Sequence, residues 1–368
     1  MRVVIAAGGT GGHIYPAIAI INKIKEKEKD SEFLYIGTTD RMENNIIPKL
    51  GIPYVGIEMV GLNRKNLLKN FDVLKKFKNA IDKAYIEIEK FKPDVVVGAG
   101  GYITAPVLYA AHKLKVPTLI HEQNSIPGLS NKFIGKFADR ICVSLPNSLN
   151  LFPKNKVVYT GNPRSEEIIN VKKKSKSDLG FDKDKKLVVV VMGSLGSITM
   201  TTKIKELIPG FNNKYYQVLV ITGKNYFDDY KDLKVSDNVK IVPFMEDLIN
   251  LLKDSDLIVS RAGASTIAEI MATRIPSILI PSPYVANNHQ YYNALDLVTK
   301  NMSLLIEEKD LDKKTLIDAI DEMFDEKTFE TVKKNLSQVK DISSSTMIVE
   351  EINKILKDKD EKKGKKKI

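Results

Sequence analysis

Val3-Val4-Ile5-Ala6-Ala7-Gly8-Gly9-Thr10-Gly11-Gly12-His13 opens the chain, and its reading governs the rest. A short apolar run rich in β-branched residues, Val3–Ala7, predicts a buried strand. The glycines after it predict a turn in which the backbone passes close to a bulky anion. A helical pattern follows over Ala17–Lys27. Strand, glycine turn and helix together form the opening unit of a parallel α/β sheet. The unit repeats, with strands predicted at Phe33–Ile36, Val95–Val97, Thr118–Ile120, Ile141–Ser144 and Val157–Tyr159. Helices are predicted at Arg41–Leu50, with Asp40 as N-cap and Gly51 just past the end, and at Ile103–Leu114. After the charged stretch Lys172–Lys186 the pattern restarts at Leu187–Val191. Strands at Val218–Ile221, Val239–Val242, Leu257–Val259 and Ser277–Leu279 follow. The fold class is therefore α/β, with two parallel-sheet halves joined near Gly161–Arg164. Ligands of such sheets bind beyond the carboxyl ends of the strands.

A chain of 368 residues is long enough for two domains, and 43% hydrophobic with 28% charged residues suits two buried cores. No run approaches the ~18 apolar residues of a membrane span, and the first residues lack a secretory leader's pattern. The single cysteine, Cys142, excludes an internal disulfide, fits a cytoplasmic setting and reads as a buried small hydrophobe. The net charge is +11, and residues 1–160 hold 23 Lys/Arg against 14 Asp/Glu. That excess points to an anionic partner for the first half. Nucleic acid is disfavoured, because no recognised motif or aromatic stacking series appears. Lys357–Ile368, nearly all Lys, Asp and Glu, is expected to be a disordered tail.

Several strand ends carry chemistry. The first glycine turn is not a Walker A loop, since no Gly-Lys-Ser/Thr follows, and G-x-G-x-x-G fails at Ile14. His13 at its end can face whatever the turn holds. Gly98-Ala99-Gly100-Gly101-Tyr102 and His121-Glu122-Gln123-Asn124 are two further polar strand ends in the same half. Each alone is also what a tight turn or cap provides; their succession is harder to obtain from turn chemistry. In the second half, Gly193-Ser194-Leu195-Gly196-Ser197 begins a helix and offers N–H groups to a phosphate. Arg261-Ala262-Gly263-Ala264-Ser265-Thr266 suits a diphosphate, and Glu269, one helical turn beyond, suits ribose hydroxyls. Asn287-Asn288-His289-Gln290 supplies amides for sugar hydroxyls, with His289 reading as a helix-start polar group.

With Thr160-Gly161-Asn162-Pro163 added, these motifs, in this order over residues 1–357, resemble glycosyltransferase family 28. The resemblance implies a GT-B fold, two Rossmann-like domains facing across a cleft. It divides the chain into an acceptor and membrane domain (1–163), a UDP-sugar domain (164–340), a returning helix (341–357) and the tail (358–368). The implied activity is inverting transfer of N-acetylglucosamine from UDP-N-acetylglucosamine to lipid I, giving lipid II in peptidoglycan synthesis, at the cytoplasmic face of the membrane. It further implies that Thr10, Gly11, Gly12 and Asn124 approach the sugars. Ser194 contacts the UDP phosphates. Met245 reads uracil through its main chain. Ala264, Ser265, Thr266 and Glu269 hold phosphate and ribose, Gln290 contacts the donor sugar, and Arg164 is a candidate donor contact. Gly100, Gly101, Tyr102 and His121 are placed at the acceptor diphosphate. Two departures stand out. Leu195 occupies a position where many relatives carry Gln, and Arg164 directly follows Pro163 where some relatives insert a residue.

The reaction must remove a proton from the acceptor hydroxyl and stabilise charge growing on UDP. His13 is the expected base, with Glu122 the second candidate. Helix-start N–H groups near Ser194 and Ala264 address the leaving group. No cofactor or metal is expected, as the chain has no Asp-x-Asp or His cluster. Arg64–Lys78 carries six basic residues and one acid, interleaved with apolar ones. It reads as a basic amphipathic segment on anionic lipid, through Leu67, Leu68, Phe71, Lys75 and Lys76, or as a surface helix whose stripe faces the core. Rival activities on the same architecture are UDP-N-acetylglucosamine 2-epimerisation and glycosyl transfer to another lipid. A catalytically silent nucleotide-sugar binder is the third alternative.

Overall fold

The computed structural model describes residues 1–61, 70–192 and 198–365. It forms two compact units, Met1–Glu166 together with Ile342–Ile368, and Glu167–Asp341.

The first unit is built on seven strands: β1 (Arg2–Ala6), β2 (Glu32–Thr38), β3 (Tyr54–Ile57), β4 (Val95–Gly98), β5 (Thr118–Glu122), β6 (Arg140–Val143) and β7 (Val157–Tyr159). All pair in parallel, in the order β3-β2-β1-β4-β5-β6-β7. The two-residue period of a strand splits β1 between two cores. Val3 and Ile5 pack with Ile14, Ala17, Ile20, Ile21 and Ile24 of helix Gly11–Lys27. Val4 and Ala6 pack with Ala80, Ala84 and Ile88 of helix Asn70–Phe91 and Val107 and Leu108 of helix Thr104–Lys113. Helix Ser344–Lys365 completes the first of these cores with Ile348, Val349, Ile352 and Ile355. It extends past Leu356, through residues that the sequence assigned to a disordered tail. Lys and Glu are good helix formers, and a packed preceding turn removes the nucleation cost of continuing.

The second unit has six strands: β8 (Leu187–Val191), β9 (Gln217–Ile221), β10 (Val239–Val242), β11 (Leu257–Ser260), β12 (Ser277–Leu279) and β13 (Ser303–Leu305). These are also parallel, in the order β10-β9-β8-β11-β12-β13. Val188, Val190, Val218 and Val259 pack with Met200, Ile204, Leu316, Ile320 and Leu336 from three helices.

In each sheet the strand order reverses beside its first strand, between β1 and β4 and between β8 and β11. The loops leaving those strands diverge to opposite sides and leave a crevice there, where open α/β sheets take their ligands. Among the described residues, no helix is long and apolar enough to cross a membrane.

Candidate functional site

In the first unit the crevice is lined by the turns after β1 and β4. Thr10, in extended conformation, is the N-cap of helix Gly11–Lys27, yet its side chain makes no capping bond. Its carbonyl accepts from His13 N (3.0 Å) and Ile14 N (3.2 Å). The first N–H groups of a helix, here at Gly11 and Gly12, have no carbonyl of the helix to serve them, which makes this end a place for anions or sugar oxygens. Gly8 N donates to Gly100 O at 3.1 Å, locking the two turns together. Gly100 and Gly101 have φ of +102° and +92°, which L side chains rarely adopt, and a Cβ on Gly101 would collide with the Gly8 carbonyl. A Cβ on Gly100 would lie 2.5 Å from Cδ2 of His13, so the imidazole rests directly on that glycine.

His13 Nδ1 lies 3.0 Å from Gly8 O. A carbonyl can only accept, so Nδ1 carries the hydrogen and Nε2 presents its lone pair. Burial holds the imidazole below the ordinary histidine range, while the charges of Glu122 and Glu43 and the bond to Gly8 act in the opposite direction. The resting ring is therefore neutral at pH 7, and two carboxylates stand ready to stabilise the imidazolium formed when it takes a proton.

Two residues, one expected at the acceptor diphosphate and one as the alternative base, are engaged elsewhere in the protein. His121 is wholly buried, with Nε2 3.1 Å from Gly161 O and Nδ1 3.0 Å from Gln123 Nε2. Both ring nitrogens are engaged and burial lowers its pKa to about 4. It fastens β5 to the Gly161 turn and does not reach an acceptor diphosphate. Glu122, the second base candidate, is also buried. Its Oε1 accepts from Asn124 N (2.9 Å) and Nδ2 (3.2 Å), its Oε2 from Gly128 N (3.1 Å) and Asn131 Nδ2 (3.0 Å). A carboxylate with four donors has no lone pair to offer a substrate proton. Glu122 instead holds the loop bearing Asn124 and supplies charge beside His13. Tyr102 is exposed, its ring lying where a Cβ on Gly61 would be. Arg164 belongs to the first unit, not to the UDP-sugar domain predicted from 164 onward, and its guanidinium lies 5.8 Å from the Tyr15 ring centroid.

The second unit presents Ala264, Ser265 and Thr266 as the first turn of helix Ala264–Thr273, directly after β11. Gly263 is an N-cap without a side chain, and Ser265 Oγ is enclosed with no hydrogen-bond partner among the described residues. An enclosed hydroxyl beside helix-start N–H groups fits a phosphate oxygen. Glu269 lies in the same helix. Gln290 uses Oε1 to accept from Ser282 N (2.8 Å), pinning the loop after β12. His289 Nδ1 bonds its own helix start at Ala286 O (2.9 Å), as its helix-start reading requires. Met245 follows β10, beside the half-exposed Phe244 whose ring centroid is 4.6 Å from Lys224 Nζ. Ser194 lies outside the described residues.

The partners that support these loops, Glu308, Asn293 and Glu43, escaped the sequence. Arg261 Nη2 pairs with Glu308 Oε2 at 2.5 Å, and Nη1 donates to Ile280 O (3.1 Å). Asn293 Nδ2 donates to Ala262 O at 3.1 Å. Together they fix the loop that delivers Ala264 and Ser265. In the first unit Glu43 bonds both Gly9 and Thr38. The pairs with Ile280, Ala262, Gly9 and Glu308 span 19 to 47 residues, and Glu43 sits on a four-residue helix, so no local pattern announces them.

The glycosyltransferase family 28 N-terminal domain matches residues 3–143, and the family's C-terminal domain matches residues 187–346. A UDP-N-acetylglucosamine–N-acetylmuramyl-(pentapeptide) pyrophosphoryl-undecaprenol N-acetylglucosamine transferase of Bacillus cereus is 42% identical over 363 residues, covering 97% of this chain and 100% of that protein. The chain belongs to glycosyltransferase family 28. Among solved structures, this family 28 chain is similar to the MurG of Acinetobacter baumannii, with a TM-score of 0.77 and 25% identity over 96% of this chain and 99% of that one. The UDP-GlcNAc 2-epimerase of Neisseria meningitidis, solved with UDP-GlcNAc bound, has a TM-score of 0.66 at 15% identity, covering 96% and 100% of the two chains. That similarity concerns the fold alone.

Of the membrane residues expected from sequence, Leu67 and Leu68 lie outside the described residues, and nothing is described of the Phe71 side chain. Lys75 is exposed, and Lys76 pairs with Glu58 at 2.6 Å. An aromatic cluster that the sequence did not signal lies farther on. Phe133 contacts Phe77, Tyr109 and Phe137, drawing on three separate helical or turn segments. Leu74, Leu129 and Phe133 are exposed, and Lys113 Nζ is 5.1 Å from the Tyr109 ring centroid.

Proposed function

We propose that this chain transfers N-acetylglucosamine from UDP-N-acetylglucosamine to the 4-hydroxyl of the N-acetylmuramyl residue of lipid I, giving lipid II with inversion at the anomeric carbon. The observation that carries this is identity of 42% extending over 97% of the chain to a transferase whose name states that chemistry. The geometry of the two crevices suits it. Nε2 of His13 takes the proton of the acceptor hydroxyl as its oxygen bonds to the anomeric carbon. The electron pair of the breaking bond leaves with UDP. The positive charge on His13 is met by Glu122 and Glu43. The negative charge on the leaving diphosphate is met by the helix start at Ala264 and by Ser265 Oγ.

The acceptor is a lipid, so the first unit must meet a bilayer. The exposed Leu74, Leu129 and Phe133, with Lys132 and Lys136 on the helix of Phe133 and the turn after it and Lys113 at the end of the helix that carries Tyr109, suit an anionic membrane surface that this protein binds peripherally, at the cytoplasmic face.

The test is incubation of purified protein with labelled UDP-N-acetylglucosamine, alone and with lipid I. Lipid II and UDP formed only with lipid I are the expected products. Free 2-epimer in the absence of lipid I would reassign the chain to the epimerases. His13→Ala is expected to lower kcat by ~10²–10⁴-fold with UDP affinity unchanged. Wild-type turnover by that variant would remove His13 as the base.

A further inference from the structure

Glu43 lies on a four-residue helix and is completely buried. A buried carboxylate is costly unless it is fully hydrogen-bonded, so its partners indicate what its retention serves. Oε1 accepts from Thr38 N at 3.0 Å and from Thr38 Oγ1 at 2.7 Å. Oε2 accepts from Gly9 N at 3.1 Å. The carboxylate thus bridges the end of β2 to the middle of the first glycine turn. Contact with the turn is tight, because a Cβ on Gly8 would collide with Glu43 Oε1. Gly8 in turn supplies the carbonyl that orients His13 through Nδ1. Tyr54 closes the other side, its hydroxyl donating to Thr38 O at 2.5 Å and its ring stacked on Tyr35 at 5.9 Å.

We propose that Glu43 is a positioning residue for the transfer reaction, clamping the Gly8–Gly9 turn so that His13 presents Nε2 in the reactive orientation and supplying part of the negative charge that the imidazolium needs. This rests on the base role of His13 proposed above. Besides Glu43, the titratable groups facing His13 are Glu122 and His121 on β5. Those facing Glu43 are Tyr35, Tyr54 and His13. Both tyrosines stay protonated through the working range, since burial and the Glu43 charge raise them. His121, held near 4, stays neutral.

Glu43→Gln keeps the shape but sets an amide NH₂ against Gly9 N–H or against the Thr38 donors, so one arm of the clamp must open. The expected result is a fall in kcat of roughly tenfold or more, in line with the steep cost of small misplacements of a reacting group. KM for UDP-N-acetylglucosamine and the Kd for UDP should be unchanged, because the UDP contacts assigned above lie in the other unit. The acid limb of the pH profile should move to lower pH, since one of the charges favouring protonated His13 has gone. A purely structural role would lower the thermal midpoint without moving that limb. Thr38→Val, nearly isosteric, removes only the hydroxyl donor and should lower kcat a few-fold at unchanged UDP affinity. It carries the test if Glu43→Gln does not fold. Wild-type kcat and an unmoved acid limb in Glu43→Gln, or wild-type kcat in Thr38→Val, would overturn the proposal. If His13→Ala is inactive while these variants are normal, the positioning role alone fails. If His13→Ala is fully active, the base assignment fails first.

Discussion

Replacing Gly100 by alanine tests whether the glycine turn after β4 shapes His13, the proposed base, or merely turns the chain. The substitution has two separable effects. At φ +102° an alanine is strained whatever the surroundings, by about 1–3 kcal/mol. For a domain of roughly 150–250 residues, that is a loss of about 2–4 °C in Tm per kcal/mol. The second effect is steric. The new Cβ would lie 2.5 Å from His13 Cδ2, whereas carbon atoms in contact prefer about 3.5–4.0 Å. The ring must retreat by about 1 Å, and a 1 Å misplacement of a reacting group costs on the order of 10²-fold in rate. Gly51→Ala is the matched control. Gly51 also has positive φ, +69°, but a Cβ there meets nothing within 4 Å. Both variants should lose stability in calorimetry. Only Gly100→Ala should lose ~10²-fold in kcat when assayed at 25 °C, well below either transition, with UDP affinity unchanged in both. A folded Gly100→Ala enzyme with wild-type kcat, or an equal loss in Gly51→Ala, would refute the idea that this glycine is required by the histidine packed on it.

Arg261→Met leaves the Glu308 carboxylate buried without its cation, a change that costs about 3–5 kcal/mol in comparable buried pairs. Denaturation should show that loss together with weaker UDP binding, and the double variant Arg261→Met/Glu308→Gln should recover part of the stability. His121 has a folded pKa lowered to about 4, so the unfolded chain, near 6.5, binds the extra proton as pH falls. Stability from this group is complete above about pH 6.5 and declines below it, by about 2 kcal/mol between pH 7 and pH 5. Chemical denaturation of His121→Gln across that range should show a shallower decline. Phe133→Ser is expected to reduce sedimentation with vesicles containing anionic phospholipid while leaving UDP affinity intact, and equal binding by both proteins would remove the aromatic cluster from the membrane face.

The sequence carried most of the sheets because parallel strands buried on both faces must be written as β-branched runs, such as Leu187–Val191 and Val95–Val97. It did not announce β3 or β13, which are edge strands of four and three residues with glycine or serine among them. Helix Gly11–Lys27 begins six residues before its predicted start. Two glycines and Pro16 argue against helix on propensity, yet a close approach at the crevice demands small residues in that first turn. Asp40 has the chemistry of an N-cap, but the helix starts at Glu43 without a side-chain cap, and Gly51 alone matches its predicted place, with φ +69°. Among the site residues, His13 and the turns around it were visible as a run of unusual residues after a strand. The engagement of His121 depends on Gly161, 40 residues on, which the β5-β6-β7 order brings beside it, whereas the saturation of Glu122 depends on how the following loop and short helix fold Gly128 and Asn131 back over the carboxylate.

The first unit closes with a helix that returns from the far side of the second in the order of the chain. Ile348, Val349, Ile352 and Ile355 fill a core whose other members are all made before residue 143. A ribosome therefore releases the entire second unit before the first unit has the side chains it needs to finish folding. During that interval the apolar residues of helix Gly11–Lys27 that the last helix covers lack their partners, and exposed apolar surface of that kind is what makes a partly folded chain prone to aggregate. Loss of the residues from 342 onward would damage the histidine-bearing half while sparing the half assigned to the nucleotide.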